Sequence, residues 1–394
     1  MNAIEIIFWL SFLVVFYAFL GYGIVLLGMV MLKRLLKSKK QEPATIFEPE
    51  VTLVIPCFNE ADIVQDKLNN SRALDYPSAK LHIVFITDGS TDESETLLKS
   101  ISGIDVLHEN RRAGKTAAEN RAMLYVKTPV VIFTDANTML NKEAVRNIVR
   151  HFADEKVGCV SGEKRIMTDK LDSASAAGEG IYWKYESFLK KLDSELYSAV
   201  GAAGELVAFR TSLYRDLPED TLLDDFMQSM QMAAAGYKIV YEPEAYAAET
   251  ASASVGEELK RKVRICAGGW QSINRLSGKL NFLSTPLLYF QYISHRVLRW
   301  TVTPFLLILM LVLNVLLALQ GNLFYQILLV AQVLFYIAAT AGYILENKRL
   351  RFKPLFVPYY FVIMNYAVLA GLKRYASGQQ KATWDKAQRK AASV

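Results

Sequence analysis

The sequence predicts an α/β protein with a mostly parallel sheet and several membrane-spanning helices. Short continuous apolar runs alternate with helical segments through the first half of the chain, a pattern typical of parallel strands covered on both faces. Two of these runs end in carboxylates, at Asp88 and Asp135. Long uncharged stretches flank the whole region, at 6–32 and 300–345. Together these observations indicate an open α/β domain attached to a bilayer.

The uncharged stretches set the number of predicted spans. The chain has 394 residues, 52% of them hydrophobic, and a mean hydropathy of +0.17, which is high for a soluble protein. Because a spanning helix needs roughly 20 apolar residues, the stretch 6–32 gives one span. The stretch 300–345 gives two spans, separated by a turn at 320–322. Segment 354–372 is a shorter candidate.

Basic residues predict the orientation of the spans. The first stretch has no basic start and is too long for a signal peptide, so we interpret it as a retained anchor. Excess Lys and Arg stays cytoplasmic, which places 41–285 in the cytoplasm beside the cell (inner) membrane. These residues are Lys33, Arg34, Lys37, Lys39 and Lys40 after the first span, and Lys348, Arg349, Arg351 and Lys353 after the third. We attribute the net charge of +6 to topology and to contact with membrane lipids, not to nucleic acid.

Two segments near the C-terminus allow more than one interpretation. Segment 287–300 interleaves apolar and basic residues, which fits either a helix in the membrane interface or the cytoplasmic end of the next span. Three full spans after the cytoplasmic domain would place the basic tail, 373–390, outside. Since that tail is expected inside, we expect 354–372 to lie in the interface or to re-enter.

The chain therefore divides into three predicted regions. Residues 1–40 form a membrane anchor, 41–285 a cytoplasmic domain, and 286–394 an interfacial and transmembrane region with a basic tail. The cysteines lack metal-ligand spacing, and we interpret them as reduced, buried apolar residues: Cys57, Cys159 and Cys266.

Strands and helices are predicted in alternating order across the cytoplasmic domain. The predicted strands are 51–56, 81–87, 105–109, 130–134, 157–161, 206–209 and 238–241. The predicted helices are 60–73, 90–101, 113–126, 141–153, 174–196 and one that begins at Asp224. Tight turns are expected at 201–204 and at Gly268-Gly269.

Asp88 and Asp135 directly follow predicted buried strands. Each could simply cap the helix that follows. Together they favour a shared site, because ligands bind outside the carboxyl ends of strands in open α/β sheets. Asp135 could hold Mg²⁺ or Mn²⁺ against a diphosphate, since hard cations take oxygen ligands. Asn137 could add an amide oxygen, which is a weaker ligand than a second carboxylate.

Lys115 lies in a stretch that resembles a phosphate-binding loop only in part. The P-loop pattern requires glycine five residues before Gly114, where this chain has Glu109. No Gly-x-Gly-x-x-Gly pattern is present, so P-loop ATPases and dinucleotide oxidoreductases lose their main support. Lys115 could still contact a phosphate as a point charge, or it could be a surface lysine.

Two further charged groups have both a functional and a structural interpretation. Asp224 and Asp225 could favour the dipole of the helix that they open, or one of them could serve as a general base. Concentrated positive charge at Arg261, Lys262 and Arg264 could neutralise a departing diphosphate or contact anionic lipid headgroups.

The order of the motifs resembles a known family. The pieces are Val54-Ile55-Pro56-Cys57-Phe58-Asn59-Glu60, Thr87-Asp88-Gly89-Ser90-Thr91-Asp92, Gly114-Lys115 with Asn120, Thr134-Asp135-Ala136-Asn137, Asp224-Asp225-Phe226, and the basic stretch that ends at Arg264. Over 51–275, between membrane segments, they resemble the membrane-bound family 2 glycosyltransferases, which include the cellulose, chitin and hyaluronan synthases.

The resemblance implies a GT-A fold, an inverting mechanism and a nucleotide-diphosphate sugar donor, most often a UDP-sugar. It implies that Asp135 contacts the metal and the diphosphate, that Asp225 is the general base and that Arg264 faces the diphosphate. Lys115 would lie near the nucleotide pocket. The residues that would line this pocket are Pro56, Asn59, Glu60 and Asp88.

The chain also departs from the family pattern. Asn137 replaces the second aspartate of Asp-x-Asp, which predicts weaker metal binding. In the Gln-x-x-Arg-Trp element, Arg261 replaces Gln and Ile265 replaces the Trp that stacks an acceptor sugar in processive members. These changes leave processivity and the acceptor open. Trp384 and Arg389 are weakly similar to a pair near the C-terminus of some members.

The leading hypothesis is transfer of a sugar to a polysaccharide or lipid-linked acceptor at the cytoplasmic face. The alternatives are transfer of one sugar to polyprenyl phosphate and an inactive membrane scaffold. A transporter is disfavoured, because the long spans carry no ionisable residue. A polymer channel built from so few spans would require a second copy of the chain or an accessory subunit.

Overall fold

The chain forms a mixed sheet domain, and the apolar helices that precede and follow it in the sequence pack against each other. The computed structural model describes residues 2–36, 47–167, 174–250, 255–347 and 353–378. Several basic residues used above for topology, and the pair near the C-terminus, lie outside these ranges: Lys37, Lys39, Lys40, Lys348, Arg349, Arg351, Trp384 and Arg389.

Within the described ranges the sheet has eight strands in the order β3-β2-β1-β4-β7-β6-β8-β5. The strands are β1 Val51–Cys57, β2 Leu81–Asp88, β3 Asp105–Glu109, β4 Val130–Thr134, β5 Met139–Leu140, β6 Val157–Met167, β7 Leu206–Arg210 and β8 Lys238–Thr250. Strands β1 to β4 pair in parallel, as do β6 and β8. Strand β7 is antiparallel to both of its neighbours, and β5 is antiparallel to β8.

The helices alternate with these strands and continue into the apolar regions. They are α1 Ala3–Phe16, α2 Tyr22–Leu36, α3 Val64–Arg72, α4 Ser94–Lys99, α5 Lys115–Met123, α6 Ala144–Val149, α7 Ala174–Leu196, α8 Asp224–Ala234, α9 Val255–Leu276, α10 Pro286–Tyr292, α11 Leu298–Trp300, α12 Thr303–Ala318, α13 Leu323–Asn347 and α14 Lys353–Ala376. Single π-helical turns, Tyr17–Gly21 and Ile293–Val297, join α1 to α2 and α10 to α11.

The continuous apolar runs form strands because both faces of the sheet are covered. Val54 and Phe133 point into one buried cluster, while Leu53 and Phe85 point into a second cluster on the opposite face. A strand that buries both faces has no polar alternation to maintain. The prediction of a mostly parallel α/β sheet is therefore confirmed.

Helix α3 begins at Val64, later than the predicted start at 60. The backbone at Asn59 has a φ of +55°, in the left-handed region, so the chain turns before the helix starts. The backbone N–H groups that follow donate to the neighbouring loop instead, with the Glu60 N–H 2.9 Å from Ser94 Oγ. Because of this tertiary contact, the helix begins four residues later in the sequence than predicted.

The predicted turn at Gly268-Gly269 is wrong, because both residues lie inside α9. A Cβ atom on Gly268 would be 2.6 Å from Leu223 Cγ, and one on Gly269 would be 2.6 Å from Trp300 Cε3. The two glycines therefore permit close helix packing instead of a change of direction. Trp300, at the end of α11, also packs against Phe226 of α8, with 5.3 Å between ring centroids.

Within the described residues, three helical segments are long and apolar enough to cross a membrane: Ala3–Leu36, Leu323–Glu346 and Pro354–Ala376. A fourth is obtained if Pro286–Trp300 and Thr303–Ala318, which meet at a 57° bend, form one span. Segment 287–300 packs on the sheet domain, since Leu288 and Tyr292 are buried in its core. At the opposite end of the bundle, the Asn2 side chain donates to Gln320 Oε1 at 3.1 Å.

Helix α14 returns to the sheet domain at its C-terminal end. A Cβ atom on Gly371 would be 2.6 Å from Cys266 Cβ of α9, so the two helices touch through backbone. A little further on, Asn274 Nδ2 of α9 donates to the Tyr375 hydroxyl at 3.3 Å. Segment 354–376 is also long and apolar enough to cross a membrane, so the interfacial or re-entrant path of 354–372 stays a prediction.

Replacing Gly371 by alanine is expected to destabilise the protein by about 1–3 kcal/mol, because the added methyl group overpacks the α9–α14 contact. Thermal unfolding in detergent would show a lower Tm. The matched control is Gly28→Ala, since a Cβ atom on this helical glycine meets nothing within 4 Å. The control should be neutral or slightly stabilising. Equal Tm values for the two variants would contradict the close contact.

Candidate active site

The candidate site lies at the carboxyl ends of β1, β2 and β4. The loop before β7 and the first turns of α5 and α8 close it, and α9 lies beside it. This is the edge at which an open α/β sheet binds its ligands, because the parallel strands all end there.

Asp88 holds the segment that leads into α5. Its buried carboxylate accepts backbone N–H groups from Ala113 at 3.0 Å and Gly114 at 2.6 Å. Arg121 Nη1 of the same helix donates to it at 3.2 Å. Charge-assisted bonds of this kind are among the stronger ones in proteins. Asp88 therefore fixes the start of α5 and, with it, the position of Lys115.

The loop after β1 forms the neighbouring wall. Pro56 lies in β1 opposite Ile86. The Asn59 side chain accepts the Thr91 N–H at 2.7 Å, which ties the loops after β1 and β2 together. Glu60 takes part through its backbone, as described for the start of α3. The role of these three residues in a nucleotide pocket stays a prediction.

Lys115 occupies the centre of the site. Its Nζ atom is 2.8 Å from Asp135 Oδ1, 3.8 Å from Glu119 Oε1 and 3.9 Å from Asp224 Oδ2. Burial would lower the pKa of this amine, but the surrounding carboxylates, Asp135 foremost, raise it well above its usual value. Lys115 is therefore a fixed positive charge among acidic groups and not a surface lysine.

Gly204 lets the loop before β7 approach this centre. A Cβ atom at this position would be 3.1 Å from Lys115 Nζ and 3.2 Å from Asp225 Oδ2. Both contacts are tighter than ordinary van der Waals packing. Gly204 therefore brings backbone between the lysine and the second aspartate of α8.

Asp225 lies in the first turn of α8, where its Oδ1 accepts the Phe226 N–H at 2.7 Å. Burial raises the pKa of this carboxyl to about 7, and the neighbouring Asp224 adds to the shift while Lys115 opposes it. Since a general base works best when its pKa lies near the working pH, Asp225 is well matched to that role.

Glu119 is a buried acid that sequence reasoning missed. It lies one turn after Lys115 on α5 and is 5% exposed. Burial, followed by the charge of Asp224, raises the pKa of this carboxyl well above its usual value. The spacing of Lys115 and Glu119, four residues apart on a helix, was the available signal.

The two predicted arginines of α9 have different surroundings. Burial lowers the pKa of Arg264, while the charges of Asp224, Asp135 and Asp225 oppose the shift, so Arg264 lies within electrostatic reach of all three. Arg261 instead makes a bidentate pair with Glu258, at 2.9 Å for both bonds.

The fit to a divalent cation depends on Asp135 and Asn137. Among the described residues, no group of three or more His, Cys, Asp or Glu side chains could hold a metal ion by itself. The Asp135 side chain is 34% exposed and faces the crevice beside Lys115. One carboxylate and one amide suit a cation that draws its remaining ligands from a diphosphate and from water.

This mixed sheet, with its acidic site at the carboxyl edge, has a GT-A-like fold, the fold of nucleotide-sugar-dependent glycosyltransferases. Residues 52–217 match the sequence model of the family "Glycosyl transferase family 2".

Two relatives from staphylococci carry the name of a polysaccharide synthase. A poly-beta-1,6-N-acetyl-D-glucosamine synthase of Staphylococcus aureus strain MSSA476 is 30% identical over 238 residues, which cover 57% of this chain and 56% of the relative. The chain thus spans about half the length of that relative. The enzyme of the same name from Staphylococcus epidermidis is 26% identical over 72% of this chain and 69% of its own length.

A likeness in fold extends over almost the whole chain. The mannosyltransferase PcManGT from Pyrobaculum calidifontis, solved in complex with GDP-Man and Mn²⁺, has a TM-score of 0.72 and 21% identity. The match covers 95% of this chain and 99% of that protein. It shows that this chain and PcManGT share one overall fold, which includes the sheet domain and the apolar helices.

Proposed function

We propose that this chain is a membrane-bound, inverting, metal-dependent glycosyltransferase. It moves a sugar from a nucleotide-diphosphate sugar to a polysaccharide or lipid-linked acceptor, with Asp225 as the general base. The main support is the convergence of Lys115, Asp135 and Asp225 around Gly204, beside Arg264. This arrangement provides a proton acceptor next to fixed positive charge.

The reaction follows from these positions. An acceptor hydroxyl attacks the anomeric carbon from the face opposite the diphosphate, and Asp225 takes the hydroxyl proton. The bond between the anomeric carbon and the diphosphate oxygen breaks, and the nucleoside diphosphate leaves with the electron pair. Lys115 and Arg264 provide fixed positive charge against the negative charge that develops on the leaving group.

The residues that would hold the cation are Asp135 and Asn137. Bound Mg²⁺ or Mn²⁺ would supply Lewis-acid neutralisation of the leaving diphosphate. Asp135 Oδ1 pairs with Lys115 Nζ at 2.8 Å. We infer that Lys115 exchanges this carboxylate for a phosphate oxygen when the donor binds.

Two observations bear on donor and acceptor. The two staphylococcal relatives carry the names of polysaccharide synthases, whereas the mannosyltransferase PcManGT, whose fold matches almost the whole chain, is solved with GDP-Man. Ile265 stands where processive members of the family place a Trp. That substitution favours the second candidate, single transfer to polyprenyl phosphate, over synthesis of a long polymer.

The membrane arrangement belongs to the same proposal. We place the catalytic domain on the cytoplasmic face, because basic residues follow the first and third spans. A cytoplasmic site would meet nucleotide sugars, and a lipid-linked acceptor would reach it along the bilayer. Polymer export would require a second copy of the chain or an accessory subunit.

The test is release of nucleoside diphosphate by detergent-purified protein, with a panel of UDP-sugars and GDP-mannose and with Mn²⁺ or Mg²⁺. Release with one donor, abolished by EDTA, would establish the transferase and name its donor. Product analysis with added polyprenyl phosphate would separate lipid monosaccharide from polymer. No release and no nucleotide binding by calorimetry would exclude the enzyme and favour an inactive scaffold.

The pKa of Asp225 predicts the acid limb of the pH profile. A base with a pKa of about 7 is protonated at lower pH, so kcat/KM should fall with unit slope below that value and level off above it. Asp224→Asn removes a neighbouring negative charge and should move this limb to lower pH. A profile that stays flat into the acid range, down to about two units below that pKa, would contradict the assignment of the base.

A further inference from the structure

A buried lysine lies behind the loop that carries Asp135. Lys67, on α3, is 0% exposed. Its Nζ atom donates to the Thr138 carbonyl at 2.6 Å and to Thr134 Oγ1 at 3.1 Å. These two residues bracket Asp135 and Asn137 in the chain. Lys67 therefore bridges the two ends of the loop from the side that faces away from the crevice.

The same loop is closed by a small network of hydroxyl groups. Thr134 Oγ1 and Thr138 Oγ1 are 3.1 Å apart, and the Thr138 hydroxyl also donates to the Asp135 carbonyl at 2.9 Å. Thr134 Oγ1 donates to the carbonyl of Glu205, beside Gly204, at 2.9 Å. The network thus connects the loop with Asp135 to the loop that approaches Lys115.

Helix α3 holds the far end of this segment as well. The Asn70 side chain, one turn after Lys67, donates to the Leu140 carbonyl and accepts the Leu140 N–H, both at 2.8 Å. One helix therefore fixes 134–140 at three points. A fixed loop matters here because it would supply only two ligands to a cation, the carboxylate of Asp135 and the amide of Asn137.

Burial of a lysine amine at this position costs free energy of folding. Burial lowers the pKa of Lys67 to about 7, and the charge of Asp135 only partly opposes the shift. An apolar side chain would avoid this cost, so fold stability alone does not account for an amine here. Its position, with both acceptors on the Asp135 loop, points to a role in the site.

We propose that Lys67 is a positioning residue for cation and diphosphate binding. It ties Thr134 to Thr138, so that the Asp135 carboxylate and the Asn137 amide are presented to the crevice in one conformation. Lys67 itself contacts neither donor nor acceptor. The inference rests on the proposed function, since it concerns the same cation site.

The test uses three variants of the full-length protein in detergent. Lys67→Met removes the amine and keeps an unbranched side chain that suits burial. Thr134→Val removes one of the two acceptors without changing the side-chain shape. Ser71→Ala is the matched control, because it removes a buried hydrogen bond of 2.8 Å to the Lys67 carbonyl within α3 and leaves the loop untouched.

Two measurements separate positioning from general loss of stability. Calorimetry with UDP or GDP and Mn²⁺ gives the affinity for the cation without turnover, and Mn²⁺ titration of activity gives the concentration for half-maximal rate. Lys67→Met should lower the affinity for the cation about tenfold or more, which is the usual effect of replacing a residue that supports metal ligands. The rate at saturating Mn²⁺ should change by less than the affinity. Thr134→Val should shift the affinity in the same direction by a smaller factor, and Ser71→Ala should not shift it.

The outcomes distinguish the inference from the function on which it rests. If the wild-type protein binds nucleotide with Mn²⁺ and Lys67→Met binds it equally or more tightly, the positioning role is overturned. If Lys67→Met does not fold, the Thr134→Val variant serves instead. Unchanged or tighter nucleotide binding with Mn²⁺ in that variant would likewise overturn the positioning role. If the wild-type protein shows no cation-dependent nucleotide binding, the proposed function fails and the positioning role fails with it.

Discussion

Replacing Asp225 by asparagine is expected to lower kcat by about 10²–10⁴-fold, the usual contribution of a general base. Asparagine keeps the size of the side chain and its acceptor for the Phe226 N–H, so the first turn of α8 should remain intact. It cannot take the acceptor proton. The donor should still bind, because Asp135, Lys115 and Arg264 are unchanged.

The measurement is donor turnover beside donor binding by calorimetry. Asp220→Asn is a suitable control, since Asp220 precedes the same helix but is 68% exposed and pairs with Arg275 at 2.6 Å. Its turnover should stay near the wild-type value. If Asp224→Asn abolished turnover while Asp225→Asn kept most of it, the base would be Asp224 instead.

Replacing Asp135 by alanine is expected to abolish cation-dependent donor binding. Asp135 is the only carboxylate in the proposed ligand pair, so its loss leaves a single amide for the cation. Lys115 also loses its 2.8 Å partner and is left next to Glu119 and Asp224. We expect a loss in kcat/KM of about 10³-fold or more, equivalent to several kcal/mol of leaving-group stabilisation.

The reciprocal variant sharpens this prediction. Asn137→Asp restores a second carboxylate to the loop and should tighten Mn²⁺ binding, because hard cations prefer anionic oxygen ligands. Calorimetry of Mn²⁺ with UDP or GDP would compare the two variants directly. Unchanged cation affinity in Asp135→Ala would place the cation elsewhere and remove the reason for the Lys67 experiment.

Much of the sheet could be predicted from local sequence. Strands β1, β2 and β4 were found because their buried residues follow one another without interruption. The second halves of β6 and β8 were missed because charged residues interrupt their apolar pattern. Lys164 of β6 pairs with Glu205 at 2.8 Å and with Glu249 of β8, so these charged strand residues are stabilised by partners that are distant in the chain. Strand β5 is two residues long and pairs only with β8.

The candidate site was predictable where polar side chains directly follow buried strands, and where short motifs such as those at Lys115, Asp225 and Arg264 resemble a family pattern. Asp88 and Asp135 come directly after apolar runs, and the rule for open α/β sheets places them together. Lys67 gives no such signal, because an isolated lysine on a polar helix is usually exposed. Gly204 gives none either, since its close approach to Lys115 and Asp225 depends on the folded loop. The distinction between Arg264 and Arg261 likewise required the position of Glu258.

The position of Trp300 limits where this chain can be truncated. By sequence this residue begins the transmembrane region, but its ring packs against Phe226, the residue after Asp225, and against Gly269 in the helix that carries Arg264. A fragment that ends before Trp300 would leave a hole behind Asp225. Water-soluble truncations that end near 285 should therefore be poor reporters of catalysis, however well they express, and inhibitor screens call for the full-length protein.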